Sequence, residues 1–115
     1  MVLIDTYRNN ISGKKKELSK LQSDKANELK KASDYKKKIL TVRSSISRSK
    51  NESIIRTKTR EIERNSTKLA TINKKVATLE TKIASKSKEI ANEEKNYNEK
   101  KRENGEKENK LKLKD

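Results

Sequence analysis

Two ladders of mostly apolar residues, each stepping by seven, run through a chain that is otherwise dominated by charge. The first is Ile4, Ile11, Leu18, Lys25, Ala32, Ile39 and Ile46. The second is Ile55, Ile62, Leu69, Val76, Ile83, Ile90 and Tyr97. A seven-residue apolar period marks a helix that buries one narrow seam against another helix. The step between the ladders, from Ile46 to Ile55, is nine residues, so the phase breaks there. Five of residues 44–53 are Ser, and Ser competes with helix by hydrogen-bonding the backbone in other conformations. The pattern predicts an all-α fold: a long antiparallel two-helix coiled-coil hairpin, with pairing of two hairpins into a four-helix bundle as an extension.

Composition narrows this further. Apolar residues make up 28% and aromatics 3% of the chain, against 43% charged. A globular core needs roughly 45–50% apolar content, so a thin seam is all this chain can bury. There is no Pro, and the only glycines are Gly13 and Gly105, so helices can run far. Nothing approaches 18 consecutive apolar residues, so no membrane span is expected. Met1 to Ile4 begins apolar but lacks a basic leader, so it does not read as a signal peptide. The chain is expected to be cytoplasmic.

Each ladder has a companion row three residues later. In the first arm it is Tyr7, Lys14, Leu21, Glu28, Tyr35 and Val42, with Lys14, Lys25 and Glu28 as defects in the seam. In the second it is Lys58, Asn65, Ile72, Leu79, Lys86 and Glu93. Asn65, Lys58 and Lys86 are read as frayed, solvent-exposed rungs; the alternative is that they fix register at a cost in stability. The interaction seam is expected to comprise Leu18, Leu21, Tyr35, Ile39, Val42, Ile55, Ile62, Leu69, Ile72, Val76, Leu79, Ile83 and Ile90. Leu18, Leu21, Val76 and Leu79 make its best apolar stretch.

The expected organisation is a hairpin over 1–100, with arms at 3–46 and 52–100 around a turn at 47–51, then a charged tail or linker over 101–115. Ser49-Lys50-Asn51-Glu52 has the form of a capping box, with Ser49 as cap, and Asn51 tolerates the left-handed conformation a turn can need. Two antiparallel registers satisfy the pattern. In one, paired residue numbers add to 97, so Val42 meets Ile55; in the other they add to 101 and the two ladders face each other.

No catalytic constellation is present. Without His or Cys there is no imidazole base, thiolate or common zinc site, and no Gly-rich phosphate loop occurs. The acidic pairs Glu61 with Glu63 and Glu93 with Glu94 are expected to meet Lys within their own helix. No enzyme, cofactor or metal is expected. The net charge of +15 divides as +8 over residues 1–49 and +7 over 50–115. Lys14–Lys16 and Lys36–Lys38 are the densest basic runs. Such runs neutralise phosphates, but Tyr7, Tyr35 and Tyr97 fall on the seam rows, away from any base-stacking role, so nucleic-acid binding is expected to be weak.

Several stretches carry a family resemblance: Ile46-Ser47-Arg48-Ser49-Lys50, Ser53-Ile54-Ile55-Arg56-Thr57-Lys58, Arg60-Glu61-Ile62-Glu63-Arg64, and Lys82-Ile83-Ala84-Ser85-Lys86-Ser87-Lys88-Glu89-Ile90. Together they resemble the Lys-rich coiled coil that precedes a TIR domain in bacterial immune-type effectors. The resemblance implies an assembly scaffold ahead of a catalytic domain. No TIR domain lies within these residues, so no activity carries over. The resulting expectation is a non-enzymatic scaffold or self-association module, with a homo-oligomer or a helical protein as partner. Its rivals are a basic nucleic-acid-binding module and a small helical partner protein for a secreted toxin.

Overall fold

The absence of Pro leaves two long helices uninterrupted. The computed structural model describes residues 2–114, with side-chain surroundings given for 4–105. Helix α1 spans Val2–Arg48 and α2 spans Glu52–Lys114, and no strand occurs among the described residues. The fold is an all-α antiparallel helical hairpin. Gly13 and Gly105 both lie inside helices, each with open space where a Cβ would stand. A single helical Gly costs about 1 kcal/mol relative to Ala, too little to end a helix held by its neighbours. For the same reason α2 continues past residue 100 to Lys114, beyond the arm limit expected from the fading apolar pattern. Side chains beyond 105 lie outside the described residues.

The connection is short and its capping differs from the expected box. Ser49 donates its backbone N–H to the Ile46 carbonyl at 3.1 Å, closing the end of α1. The cap of α2 is Asn51, not Ser49. Asn51 Oδ1 accepts from the N–H groups of Ser53 at 2.9 Å and Ile54 at 3.3 Å, and its carbonyl accepts from Ile55 at 3.0 Å. Asn is among the best caps because a short side-chain oxygen reaches the unpaired amides of the first turn. Ser49 Oγ instead accepts from the Asn51 N–H at 3.2 Å. Asn51 needs no left-handed backbone, since no non-glycine residue among those described has a positive φ.

The hairpin divides into two units: residues 22–81 around the turn, and 1–21 with 82–115 distal to it. The turn-proximal unit holds the apolar core, a cluster of Ala32, Ile72 and Val76 with Tyr35 and Leu69 packed against it. Placing Ala32 opposite Ile72 and Tyr35 opposite Leu69 makes paired numbers add to 104. Lys25 with Glu80 adds to 105. In the distal unit, Glu17 with Lys86 adds to 103, Arg8 with Tyr97 to 105, Lys14 with Glu93 to 107 and Lys15 with Glu94 to 109. The turn-proximal unit by itself therefore has a core register of 104, and the distal pairs, taken by themselves, add to 103 to 109. Both expected registers, 97 and 101, fall short of every observed pair, and 97 differs from the core register of 104 by one heptad. A shift of seven leaves the face of every side chain unchanged, which is why periodicity could not separate 97 from 104.

Candidate interaction surface

In each unit the helices meet along the two predicted rows. Every member of both ladders and both companion rows over 4–97 is buried or half-buried. In the second helix the rows extend to Lys100 and Asn104, which are also half-buried, so the seven-residue period outlasts the apolar residues that revealed it. Of the thirteen expected seam residues, Ile39, Val42, Ile72, Val76 and Ile90 are buried. Leu18, Leu21, Tyr35, Ile55, Ile62, Leu69, Leu79 and Ile83 are half-buried. The stretch expected to be the best core is thus mostly half-open, with only Val76 of its four members buried.

Sequence reasoning undervalued two residues. Ala32 is the most buried side chain, 3% exposed. Its small size lets the facing helix come close, a role that an apolar count does not score. Asn65 is buried at 8% exposure and takes no side-chain hydrogen bond among the described residues. It is not a frayed rung, and neither are Lys58 and Lys86, which are half-buried. Ile72 and Leu69, on the turns that follow Asn65, hold this part of α2 against α1 and carry the amide inward with them.

The seam defects are accommodated by ion pairs across the helices. In the distal unit, Lys14 pairs with Glu93 at 3.4 Å, Lys15 with Glu94 at 3.1 Å, and Lys86 with Glu17 at 2.6 Å; Lys86 also pairs with Glu89 of its own helix at 3.1 Å. Glu93 and Glu94 therefore reach the opposite helix rather than lysines of their own. The Lys86 ammonium, hydrogen-bonded to the Glu17 carboxylate, holds that carboxyl below its ordinary range. The same bond, reinforced by Glu89, raises Lys86. Arg8 donates to the Tyr97 hydroxyl at 3.4 Å and lies 5.9 Å from its ring centre, which lowers the tyrosine and raises the arginine. In the turn-proximal unit, Lys25 pairs with Glu80 at 3.5 Å, and Glu28 with Lys31 of its own helix at 3.4 Å. One carboxylate oxygen of Glu28 and one of Glu93 are buried without a hydrogen bond among the described residues.

Three large apolar side chains are exposed among the described residues: Leu29 at 47%, Leu40 at 61% and Ile54 at 44%. All three belong to the turn-proximal unit. Beside Leu40 lies a shallow groove of about 340 Å³ lined by Lys36, Ile39, Leu40, Arg43, Ser66 and Leu69. Among the described residues no helix is long and apolar enough to cross a membrane, and no group of three or more Asp or Glu is placed to hold a metal. No family model, curated protein or solved structure matches this chain.

Proposed function

We propose that this protein is a non-enzymatic coiled-coil scaffold that works by packing its helices against further helices, in a homo-oligomer or with a helical protein partner. The observation that supports it is the concentration of exposed apolar side chains, Leu29, Leu40 and Ile54, on the unit that also holds the best-packed core. Isolated exposed apolar residues are ordinary, but Leu29 and Leu40 lie three helical turns apart on one face of α1, and an open groove adjoins Leu40. A helix added there would extend the hairpin toward a bundle of the kind that coiled-coil packing favours. A role as the leading module of a bacterial defence effector is part of this proposal, and it rests on the resemblance in residues 46–90. A partner protein for a secreted toxin is a special case of the same helix-on-helix mechanism. A cytoplasmic location belongs to the proposal as well.

The test is sedimentation equilibrium over a concentration series, together with binding of helical peptides. Self-association, or capture of an amphipathic helix, that is lost in the Leu29→Asp and Leu40→Asp variants is the expected result. A monomer that binds no helix at any concentration would defeat the reading.

One observation favours a second reading, a basic nucleic-acid-binding module. Lys38 and Lys68 approach the Tyr35 ring from opposite helices, with their Nζ atoms 4.9 and 5.9 Å from its centre. Neither ammonium has a carboxylate within ion-pair distance among the described residues. Lysines that converge without acidic partners suit a phosphate backbone. Such binding weakens steeply with salt. Retention of nucleic acid at about 0.15 M salt, lost on Lys38→Gln with Lys68→Gln, would favour this reading over the scaffold.

A further inference from the structure

The groove beside Leu40 differs from the other open surfaces in its chemistry. In the distal unit, the hollow around Arg8, Ile11, Lys15, Glu94, Tyr97 and Asn98 is bridged by its own pairs, Arg8 with Tyr97 and Lys15 with Glu94. Its charges are answered within the chain. At the turn-proximal groove they are not. Lys36 and Arg43 flank Ile39, Leu40 and Leu69, and neither cation has a carboxylate within ion-pair distance among the described residues. The α2 side of the groove contributes Ser66 and Leu69, neither of them charged.

Helical geometry orders these residues. Leu29, Lys36, Leu40 and Arg43 fall within about 60° of one another around the α1 axis at 100° per residue. Leu29 and Leu40 stand eleven residues apart, about 16 Å along the helix. The result is a stripe of two exposed leucines interleaved with two unanswered cations, set beside a hollow with an apolar floor. This stripe is centred about 60° around the helix from the buried row of Ala32 and Ile39, at the flank where a third helix would pack.

Charge decides among occupants. A second copy of this chain related by a two-fold axis would present the same stripe to itself. Lys36 and Arg43 would then approach their own equivalents, in a unit with sixteen basic and seven acidic residues. Like charges brought together at an interface oppose association, whereas complementary charge selects the partner. We therefore propose that this face is a docking site for an acidic amphipathic helix of another protein. Its leucine-type side chains would fill the hollow between Leu40 and Leu69, and its Glu or Asp residues would pair with Lys36 and Arg43. This deepens the scaffold reading and rests on it, because it names the partner chemistry for the exposed face.

The probe is a synthetic capped helix of about four turns, with Leu at alternating three- and four-residue spacing, Glu on the flanking positions, and Ala and Gln elsewhere. Its controls are a scrambled peptide of the same composition and a version with Lys replacing Glu. Binding is measured by fluorescence anisotropy at about 0.15 M salt, where exposed charges alone are largely screened. The ordered acidic peptide is expected to bind at least about tenfold tighter than the scrambled one. Leu40→Asp should weaken it by about tenfold or more. The pair Lys36→Glu with Arg43→Glu should reverse the preference, so that the Lys-flanked peptide binds better. The pair Lys30→Glu with Lys37→Glu makes the same charge change on a different face and should leave affinity within about twofold. Leu40 is exposed, so these variants are expected to fold, and circular dichroism verifies it.

Equal binding of ordered and scrambled peptides would overturn the proposal by reducing the face to bulk charge. No binding of the ordered peptide would overturn it too. If the chain instead self-associates and Leu40→Asp makes it monomeric, the occupant is a second copy; the scaffold reading then stands and the acidic partner falls.

Discussion

The two units of this hairpin share one repeat and hold their helices together by different means. Around the turn, residues 22–81 bury Ala32, Ile39, Val42, Ile72 and Val76, and one ion pair crosses between the helices, Lys25 with Glu80. In the distal unit, among the described residues, Ile90 is the one buried apolar side chain, and three ion pairs cross: Lys14 with Glu93, Lys15 with Glu94 and Glu17 with Lys86. The seven-residue period sets only which positions face inward. What stands there decides whether contact comes from dehydration or from charge. These are unequal: burying an aliphatic side chain contributes about 1.5–3 kcal/mol, whereas an exposed ion pair contributes about 0.2–1 kcal/mol. Stability should therefore be graded, high beside the turn and low in the distal unit.

The largest expected effect tests that grading directly. Ile72→Ala removes a buried branched side chain from the central cluster and should cost about 2–3 kcal/mol, near the low end for such truncations because the seam is open at its sides. Lys14→Gln with Glu93→Gln, which deletes a cross-helix pair in the distal unit, should cost less than about 1 kcal/mol. Urea unfolding of the two variants makes the comparison. Equal losses would mean that the distal pairs contribute as much as the apolar cluster, and the division of labour would be gone.

Asn65 is the exception inside the stronger unit, and it gives a smaller effect of opposite sign. Its side chain is largely buried, yet its amide atoms are not among the fully buried ones that lack a hydrogen bond, so they still touch solvent. Asn65→Ile should raise stability by about 1 kcal/mol through the apolar area it adds to the seam. A polar residue at a seam position also discriminates among registers and oligomeric states. The same variant should lose uniqueness, seen as a second set of amide resonances or a larger assembly on sedimentation. Stabilisation without either sign would leave Asn65 with no role in specificity.

These contrasts also separate what the sequence alone carries from what arises only when the helices pack. Periodicity alone located both rows, because facing inward every seventh residue is a property of the helix and not of the side chain. That holds even for Lys100 and Asn104, where the apolar signal has gone but the geometry continues. Register was not legible: 97 and 104 differ by one heptad and present the same faces, so particular contacts such as Ala32 with Ile72 had to decide. Burial of Asn65 was not legible either, since a polar residue on a seam row reads equally as frayed or as enclosed. The cross-helix pairing of Glu93 with Lys14 depends on register and was lost with it. At the turn, Ser49 matched a capping pattern, but Asn51, two residues on, fits the start of α2 better. The groove beside Leu40 is lined from both helices, so it exists only once they are packed and no pattern along the sequence shows it.

The smallest expected effect is confined to the distal unit and depends on pH. Glu17 and Lys86 form its shortest ion pair, 2.6 Å. The hydrogen bond from Lys86 holds Glu17 below its ordinary value of 4.5, so this carboxylate favours the folded pair above that value. The contribution is lost as pH falls through the lower folded value. Lys86, raised above 10.5 by Glu17 and then by Glu89, behaves in the mirror sense. Its contribution is present below 10.5 and is lost as pH rises through the higher folded value. Tyr97 opposes that alkaline loss. Lowered from 10.0 chiefly by the hydrogen bond from Arg8, it adds stability as it ionises beside the guanidinium. Amide exchange resolved by residue should then show a plateau for the distal helices between these limits. Protection near Glu17 and Lys86 should fall at both ends, while protection around Ala32 and Ile72 stays higher throughout. Glu17→Gln should flatten much of the acid limb near Lys86, and Tyr97→Phe should steepen the alkaline one. Matching pH profiles in wild type and Glu17→Gln would show that the pair holds nothing in place. The distal unit would then depend on Ile90 and its half-buried neighbours alone, and would differ from the turn-proximal unit in amount rather than in kind.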